Sequence, residues 1–142
     1  MAERVGNPVP KKIRERLARG ETPLVYELMT PPKDPGAPET GSWAQRLADT
    51  LRSDAQHEVL LTKNRIAVVA TQRSDRSCSI ELSVPLDEVV SVELVGSGVE
   101  RGRLRFDFRD GSSTCGVMGL VLPRPARRFL ASFEAATPRR RR

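Results

Sequence analysis

The sequence is poor in the residues that most metal centres and many active sites need. Its 142 residues contain two cysteines and one histidine. A zinc site takes about four N, S or O ligands, and Cys78 and Cys115 lie far apart, outside any CxxC pattern. His57 stands beside Glu58, with no serine or cysteine placed by a motif to act as its nucleophile. We therefore expect no enzyme, no metal and no cofactor, and two reduced thiols in preference to a disulfide.

Aromatic residues and long apolar runs are also scarce. Aromatic residues make up 4% of the chain, so Val, Leu and Ile must supply most of the core. No stretch approaches the roughly 18 consecutive apolar residues of a membrane helix. The N-terminal sequence MAERVGNPVPKKIRERL carries charge but lacks the apolar segment of a secretory signal. These absences predict a cytoplasmic protein, with peripheral contact at the inner face of the membrane as an alternative.

The basic excess of the chain is confined to its C-terminal end. Lys and Arg outnumber Asp and Glu by 24 to 18, a formal net charge of +6. Residues 1–57 carry nine basic and eight acidic side chains, residues 58–123 carry eight and nine, and residues 124–142 carry seven and one. The body of the chain is therefore close to neutral, which argues against a sheet face that follows phosphates.

Alternating apolar and polar residues predict short β-strands over most of residues 58–118. The alternation is clearest over residues 80–86. Asp110 and Gly111 indicate a tight hairpin turn before a last strand near residues 114–118. Because successive side chains of a strand point to opposite faces, this pattern predicts sheets with one apolar face.

An amphipathic helix follows the predicted strands. Ala126, Phe129, Leu130 and Phe133 fall at i, i+3, i+4 and i+7, which places them on one helix face. The sequence after this helix is basic and has no apolar residue beyond Ala136, so we expect a disordered tail.

The N-terminal part combines a short helix, a first strand and a second helix. Residues 10–20 begin with a proline and end with a glycine, which favours a helix there. Residues 23–30 suit a strand, and four prolines make residues 31–41 a loop. Ser42 and Gln45 have the spacing of a capping box at the start of an amphipathic helix.

The predicted elements divide the chain into three parts. The first is an N-terminal helical extension and the second is the main domain, whose first two strands are separated by a helical excursion. The third is a basic tail. The boundaries are residues 1–22, 23–135 with the excursion at 42–54, and 136–142.

Four short segments carry a resemblance to a known family. They are LARGE at 17–21, LTKNRI at 61–66, VPLDEVVSVE at 84–93 and FDFRDG at 106–111. In this order they resemble the bacterial pleckstrin-homology-like (PH-like) domain family. The resemblance implies an α+β fold, a small curled antiparallel β-barrel of about seven strands capped by a C-terminal helix. Domains of this kind include lipid binders, peptide binders, adaptors and self-assembling modules. In the phosphoinositide-binding members, the first strand connection carries a basic cluster, whereas here it carries prolines and a helix.

Two groups of arginines are candidate contact residues. Arg103, Arg105 and Arg109 fall on one face of a predicted strand, where they could dock an acidic partner or pair with neighbouring acids. The second group lies on the last helix and the tail, where it could contact an anionic membrane or another polyanion. Its members are Arg124, Arg127, Arg128, Arg139, Arg140, Arg141 and Arg142.

These observations favour a non-catalytic interaction module that binds a protein partner or itself. Peripheral binding to anionic membranes through the last helix and the Arg tail is the alternative. Non-specific nucleic-acid binding through the same arginines is a further and weaker one, because no base-reading element is visible.

Overall fold

The computed structural model describes residues 8–34, 36, 38–96, 98–119 and 121–137. Seven strands in these ranges form two antiparallel sheets. Sheet A has the order β1-β2-β3-β4 and sheet B the order β5-β6-β7. The strands are β1 (Val25–Leu28), β2 (Gln56–Leu61), β3 (Arg65–Thr71), β4 (Cys78–Pro85), β5 (Val89–Leu94), β6 (Arg103–Phe108) and β7 (Ser113–Val117). The helices are α1 (Lys11–Arg14), α2 (Trp43–Arg52) and α3 (Arg124–Ala136), with a 3₁₀ turn at Leu86–Glu88.

The predicted β-barrel is wrong. The described residues form a mixed fold of two separate antiparallel sheets and three helices, and the sheets do not close into a barrel. Sheet A ends at Pro85, which has no N–H for a further ladder bond, and the 3₁₀ turn then leads into sheet B. One isolated bridge, between Thr30 and Val117, links the two sheets. The alternating pattern could not exclude this arrangement, because it fixes which side chains face the core and not which strand edges meet.

Sheet A is buried on both faces. One face contributes Val59, Leu61 and Val68 to the main core. The other face carries a second cluster, in which Tyr26, Leu60 and Val69 pack with Ile13 of α1. Helix α1 is much shorter than the helix predicted over residues 10–20. Its only buried residue is Ile13, and so narrow an apolar stripe does not hold a longer helix.

Helix α2 lies where the sequence predicts a helix, between β1 and β2. The Ser42 hydroxyl accepts a hydrogen bond from the Gln45 backbone N–H at 3.1 Å, which confirms the predicted N-cap. The helix buries one face, formed by Ala44, Leu47, Ala48 and Leu51.

Helix α3 packs its predicted apolar face into the main core. Ala126, Phe129 and Phe133 are buried, and the ring centroids of Phe129 and Phe106 lie 6.1 Å apart in an edge-to-face arrangement. Burial of the two α3 phenylalanines contributes about 3–6 kcal/mol before entropy is counted. The helix contacts β1 and β2 of sheet A and β5 of sheet B, so it packs against both sheets.

Three residues from the resembling segments form one polar cluster. The buried carboxylate of Glu21 accepts hydrogen bonds from Thr62 Oγ1 at 2.7 Å and from Arg65 Nε at 2.9 Å. It also accepts the Ala18 backbone N–H at 2.9 Å. Burial raises the pKa of Glu21, but the hydrogen bonds from Arg65, Ala18 and Thr62 outweigh it, so the pKa lies below its ordinary value. The cluster ties the N-terminal segment to the β2–β3 turn.

Candidate functional site

The three arginines predicted to form a contact row are each engaged by a local group. Arg103 donates to Glu100 at 3.1 Å and to the backbone carbonyl of Asp34 at 3.3 Å. Arg105 donates to Asp107 at 3.2 Å, two residues along β6. The third, Arg109, lies just after β6. The row is therefore not a continuous cationic stripe, and its role in partner binding stays a prediction.

The guanidinium groups of Arg109 and Arg103 already have hydrogen-bond partners within the fold. Arg109 Nε donates to the backbone carbonyl of Asp87 at 3.0 Å. A hydrogen bond with Cys115 and the carboxylate of Glu100 raise the pKa of Arg103. A partner would have to compete with these contacts, which lowers the net gain from each guanidinium.

The arginines of α3 have different surroundings. Arg124 and Arg127 are exposed. Arg128 donates two hydrogen bonds to Glu27 of β1, at 2.6 and 3.1 Å, and Glu27 raises its pKa. Arg128 therefore serves the packing of α3. The tail residues 139–142 lie outside the described residues.

His57 is buried beside the end of α2 and contacts a serine there. Its Nε2 lies 2.9 Å from the Ser53 hydroxyl oxygen. Because that hydroxyl donates its one hydrogen to the Thr50 carbonyl at 2.9 Å, His57 must donate its N–H to Ser53. Burial lowers the pKa of His57, which favours this neutral form. The side chains of Ser53 and His57 therefore form a hydrogen-bonded cap at the C-terminal end of α2.

The described ranges offer neither a metal-binding cluster nor a membrane-spanning helix. They contain no group of three or more His, Cys, Asp and Glu side chains able to hold a metal ion. No helix among the described residues has the length and apolarity needed to cross a bilayer.

The sequence did not predict an exposed apolar surface formed by residues of two loops. Val99 lies in the β5–β6 loop, and Val121 and Leu122 lie between β7 and α3. They are 70%, 73% and 61% exposed, and they line one open groove of about 690 Å³. We call these three residues the apolar loop patch. Its only sequence signal is weak: aliphatic residues stand outside the alternating segments, among glycines and prolines.

Backbone hydrogen bonds join the two loops that carry the patch. The Gly102 N–H donates to the Gly119 carbonyl at 2.9 Å, and the Met118 N–H donates to the Gly102 carbonyl at 2.8 Å. A Cβ at Gly102 would collide with the Met118 carbonyl oxygen, so this approach requires glycine.

Two basic side chains line the groove beside the patch, and a third follows it in sequence. Lys33 and Arg101 line the same groove, and Arg124 follows Leu122 by two residues. Within the described part of the chain, none of these three side chains has an ion-pair partner. Glu100 also lines the groove, but its carboxylate is bound by Arg103 and by the Lys33 backbone N–H.

Strand β5 is an edge of sheet B. Its one strand neighbour is β6, and no other strand pairs with it among the residues described. Val90, in this strand, is 47% exposed and lies at an irregularity of the β5–β6 register. Among the described residues, β5 is thus a strand without a second strand partner, and it carries an exposed apolar side chain.

Comparison with known proteins gives no family for the chain. No protein-family model matches it, and no curated protein matches it. It is similar to a solved structure, the C-terminal domain of an unknown protein from Leishmania infantum, with a TM-score of 0.43 and 13% identity. The match covers 87% of this chain and 88% of that one, and at this TM-score it carries no argument. The resemblance to PH-like domains stays a prediction.

Proposed function

We propose that this protein is a non-catalytic interaction module that binds an extended protein segment along the outer edge of β5. The segment comes from another protein or from a second copy of the chain. The observation that supports the proposal is the open edge of this strand in sheet B. Alternate residues of an antiparallel strand direct their N–H and C=O groups away from the paired neighbour. An added strand satisfies these groups and gains affinity from main-chain hydrogen bonds.

The comparison with the other sheet edges favours β5. An isolated bridge joins Thr30, two residues beyond the end of β1, to Val117 of β7, so we compare the two remaining edges, β4 and β5. The exposed residues of β4 include Glu81 and Pro85. A charge and a proline both disfavour strand addition at an edge. β5 also carries a charged residue, Glu93, but its exposed Val90 gives an added strand an apolar contact.

Helix α3 supports strand β5. The helix packs against β5 as well as β1, and Phe129 and Phe133 anchor it in the core. A segment added to β5 would therefore pair with a strand that is already held in place, which reduces the loss of conformational entropy on binding.

Light scattering after size exclusion, together with a pull-down, tests this proposal. We expect the wild type to form a dimer or to retain a protein partner. Val90→Lys, which places a charge on the exposed edge, should weaken that association about tenfold or more, a change of about 1.4 kcal/mol. The matched control is Leu28→Lys, an exposed aliphatic residue of β1 outside this edge and outside the apolar loop patch, which should associate like the wild type. A monomer that retains no partner, or a Val90→Lys variant equal to the wild type, contradicts the proposal.

Two further expectations stay predictions beside this one. Catalytic inactivity is untested, and so is non-specific binding of nucleic acid through the arginines. A gel shift at about 50 mM salt tests the second, because phosphate contacts are strongest at low ionic strength.

A further inference from the structure

We propose that the apolar loop patch inserts into the surface of an anionic lipid bilayer. Val99, Val121 and Leu122 are among the most exposed large apolar residues described. Single exposed aliphatic residues are common on protein surfaces, but adjacent ones on neighbouring loops mark a contact surface. The site lies on the loops at one end of sheet B, so it is separate from the β5 edge and independent of the function proposed there.

The charge around the patch complements an anionic surface. Residues 31–34, 98–103 and 121–124, which adjoin or carry the patch, contain four basic side chains and two acidic ones. One of the acidic groups, Glu100, is already bound by Arg103. Lys33, Arg101 and Arg124 have no ion-pair partner in the described structure. Basic residues that flank inserted apolar side chains add attraction to anionic headgroups. The other acidic side chain is Asp34, next to Lys33.

The composition and size of the patch favour a bilayer over a protein. Protein interfaces depend on Trp, Tyr and Arg anchors, and Leu and Val are under-represented among their energetic hot spots. The patch contains aliphatic side chains alone. A stable protein interface also buries about 1,200–2,000 Å² in total, which three side chains do not approach. Shallow insertion into the headgroup region needs no such area and no matching shape.

The backbone contacts between the two loops keep the patch assembled before binding. The hydrogen bonds of Gly102 with Met118 and Gly119 hold Val99 near Val121 and Leu122. Since the loops are already ordered, insertion costs little conformational entropy.

Vesicle co-sedimentation of the full chain tests the site. Vesicles of phosphatidylcholine alone are compared with vesicles of phosphatidylcholine and phosphatidylserine in equal parts, at low salt. We expect the wild type to pellet with the anionic vesicles only. Val99→Asp and Leu122→Asp should each lower the partition coefficient about tenfold, because each removes an inserted apolar side chain. Lys33→Gln and Arg101→Gln should each lower it about fivefold.

Two control variants separate insertion of the patch from binding through the β5 edge or through the Arg tail. Val90→Asp makes the same chemical change at the β5 edge and should pellet like the wild type, although it should lose the protein association proposed above. A variant with Arg139, Arg140, Arg141 and Arg142 all changed to Gln should retain binding that still depends on Val99. Thermal unfolding of each variant checks that these exposed substitutions leave the fold intact.

Three results would overturn the proposal. The first is a wild type that stays in solution with anionic vesicles, and the second is equal pelleting with neutral vesicles. The third is a double variant, Val99→Asp with Leu122→Asp, that pellets like the wild type. If this double variant also loses self-association, the patch is assigned to a contact with a second copy of the chain.

Discussion

Arg128 of α3 holds the buried carboxylate of Glu27 on β1 in a two-point hydrogen bond, at 2.6 and 3.1 Å. The two residues are 101 positions apart in the chain. The Glu27 side chain is 2% exposed and that of Arg128 is 39% exposed. This pair fixes the last helix on the edge of the sheet formed by the first strand. The pair also gives a structural role to Arg128, an arginine that the sequence suggested for membrane contact.

Removal of the Arg128 guanidinium should destabilise the fold. Arg128→Ala leaves the Glu27 charge buried and unpaired, which costs about 3–5 kcal/mol in a fully buried pair. Because Arg128 is partly solvated, we expect about 2 kcal/mol here. Urea unfolding of the wild type and of Arg128→Ala measures this difference in the free energy of unfolding. Arg127→Ala, a neighbouring exposed arginine, should change stability by less than about 0.5 kcal/mol, and equal losses for the two variants would contradict the assignment.

Protonation of the Glu21 carboxylate should lower the free energy of unfolding in acid. Its pKa is lowered in the folded state from an ordinary value of 4.5, so the unfolded chain takes up the proton more readily. The contribution of the ionised carboxylate is therefore complete above pH 4.5 and is lost as the pH falls through the folded-state pKa. Urea unfolding of the wild type and of Glu21→Gln should give stabilities that converge below pH 4.5. Parallel curves across this range would exclude the role given to the carboxylate.

The only histidine should titrate below its ordinary value. Burial lowers the pKa of His57 from 6.5, which means that the folded state favours the neutral ring. The stability associated with neutral His57 is present above pH 6.5 and is lost as the pH falls through the folded-state pKa. A single set of imidazole NMR signals reports the titration directly. A midpoint at or above 6.5 would contradict the lowered pKa that burial gives this ring.

The β6–β7 turn should stabilise α2 through Asp110. The carboxylate of Asp110 accepts the Trp43 backbone N–H at 2.8 Å, and the Ser112 hydroxyl accepts that of Ala44 at 3.2 Å. Asp110→Ala removes one of these caps and should cost about 1 kcal/mol in urea unfolding. Asp54→Ala, at an exposed position beyond the end of α2, should leave stability nearly unchanged. A loss of the same size in both variants would argue against a capping role.

Local sequence patterns predicted most elements because their causes are local. The apolar face of α3 was visible from the spacing of Ala126, Phe129 and Phe133, and the start of α2 from Ser42 and Gln45. The length of the helix predicted over residues 10–20 was overestimated, because helix length depends on tertiary burial as well as on the proline and glycine at its ends. The closed barrel was wrong because strand alternation is the same in a barrel and in two separate sheets.

The candidate surfaces were harder to predict than the elements. Arg103, Arg105 and Arg109 were visible as a row, but the groups that engage them could not be read from alternation. The apolar loop patch was not predicted at all, because Val99 and Val121 belong to different loops and have no periodic pattern. Their proximity depends on backbone hydrogen bonds between those loops.

The sequence by itself determined which residues form strands and helices, which faces are apolar and how charge divides along the chain, since these depend on neighbours a few positions apart. Only the tertiary structure decided that the strands form two sheets, that Glu27 meets Arg128 and Glu21 meets Arg65, and that three aliphatic side chains share an exposed groove. These are contacts between residues far apart in the chain. They are selected by the packing and hydrogen bonding of the whole fold, which no local pattern encodes.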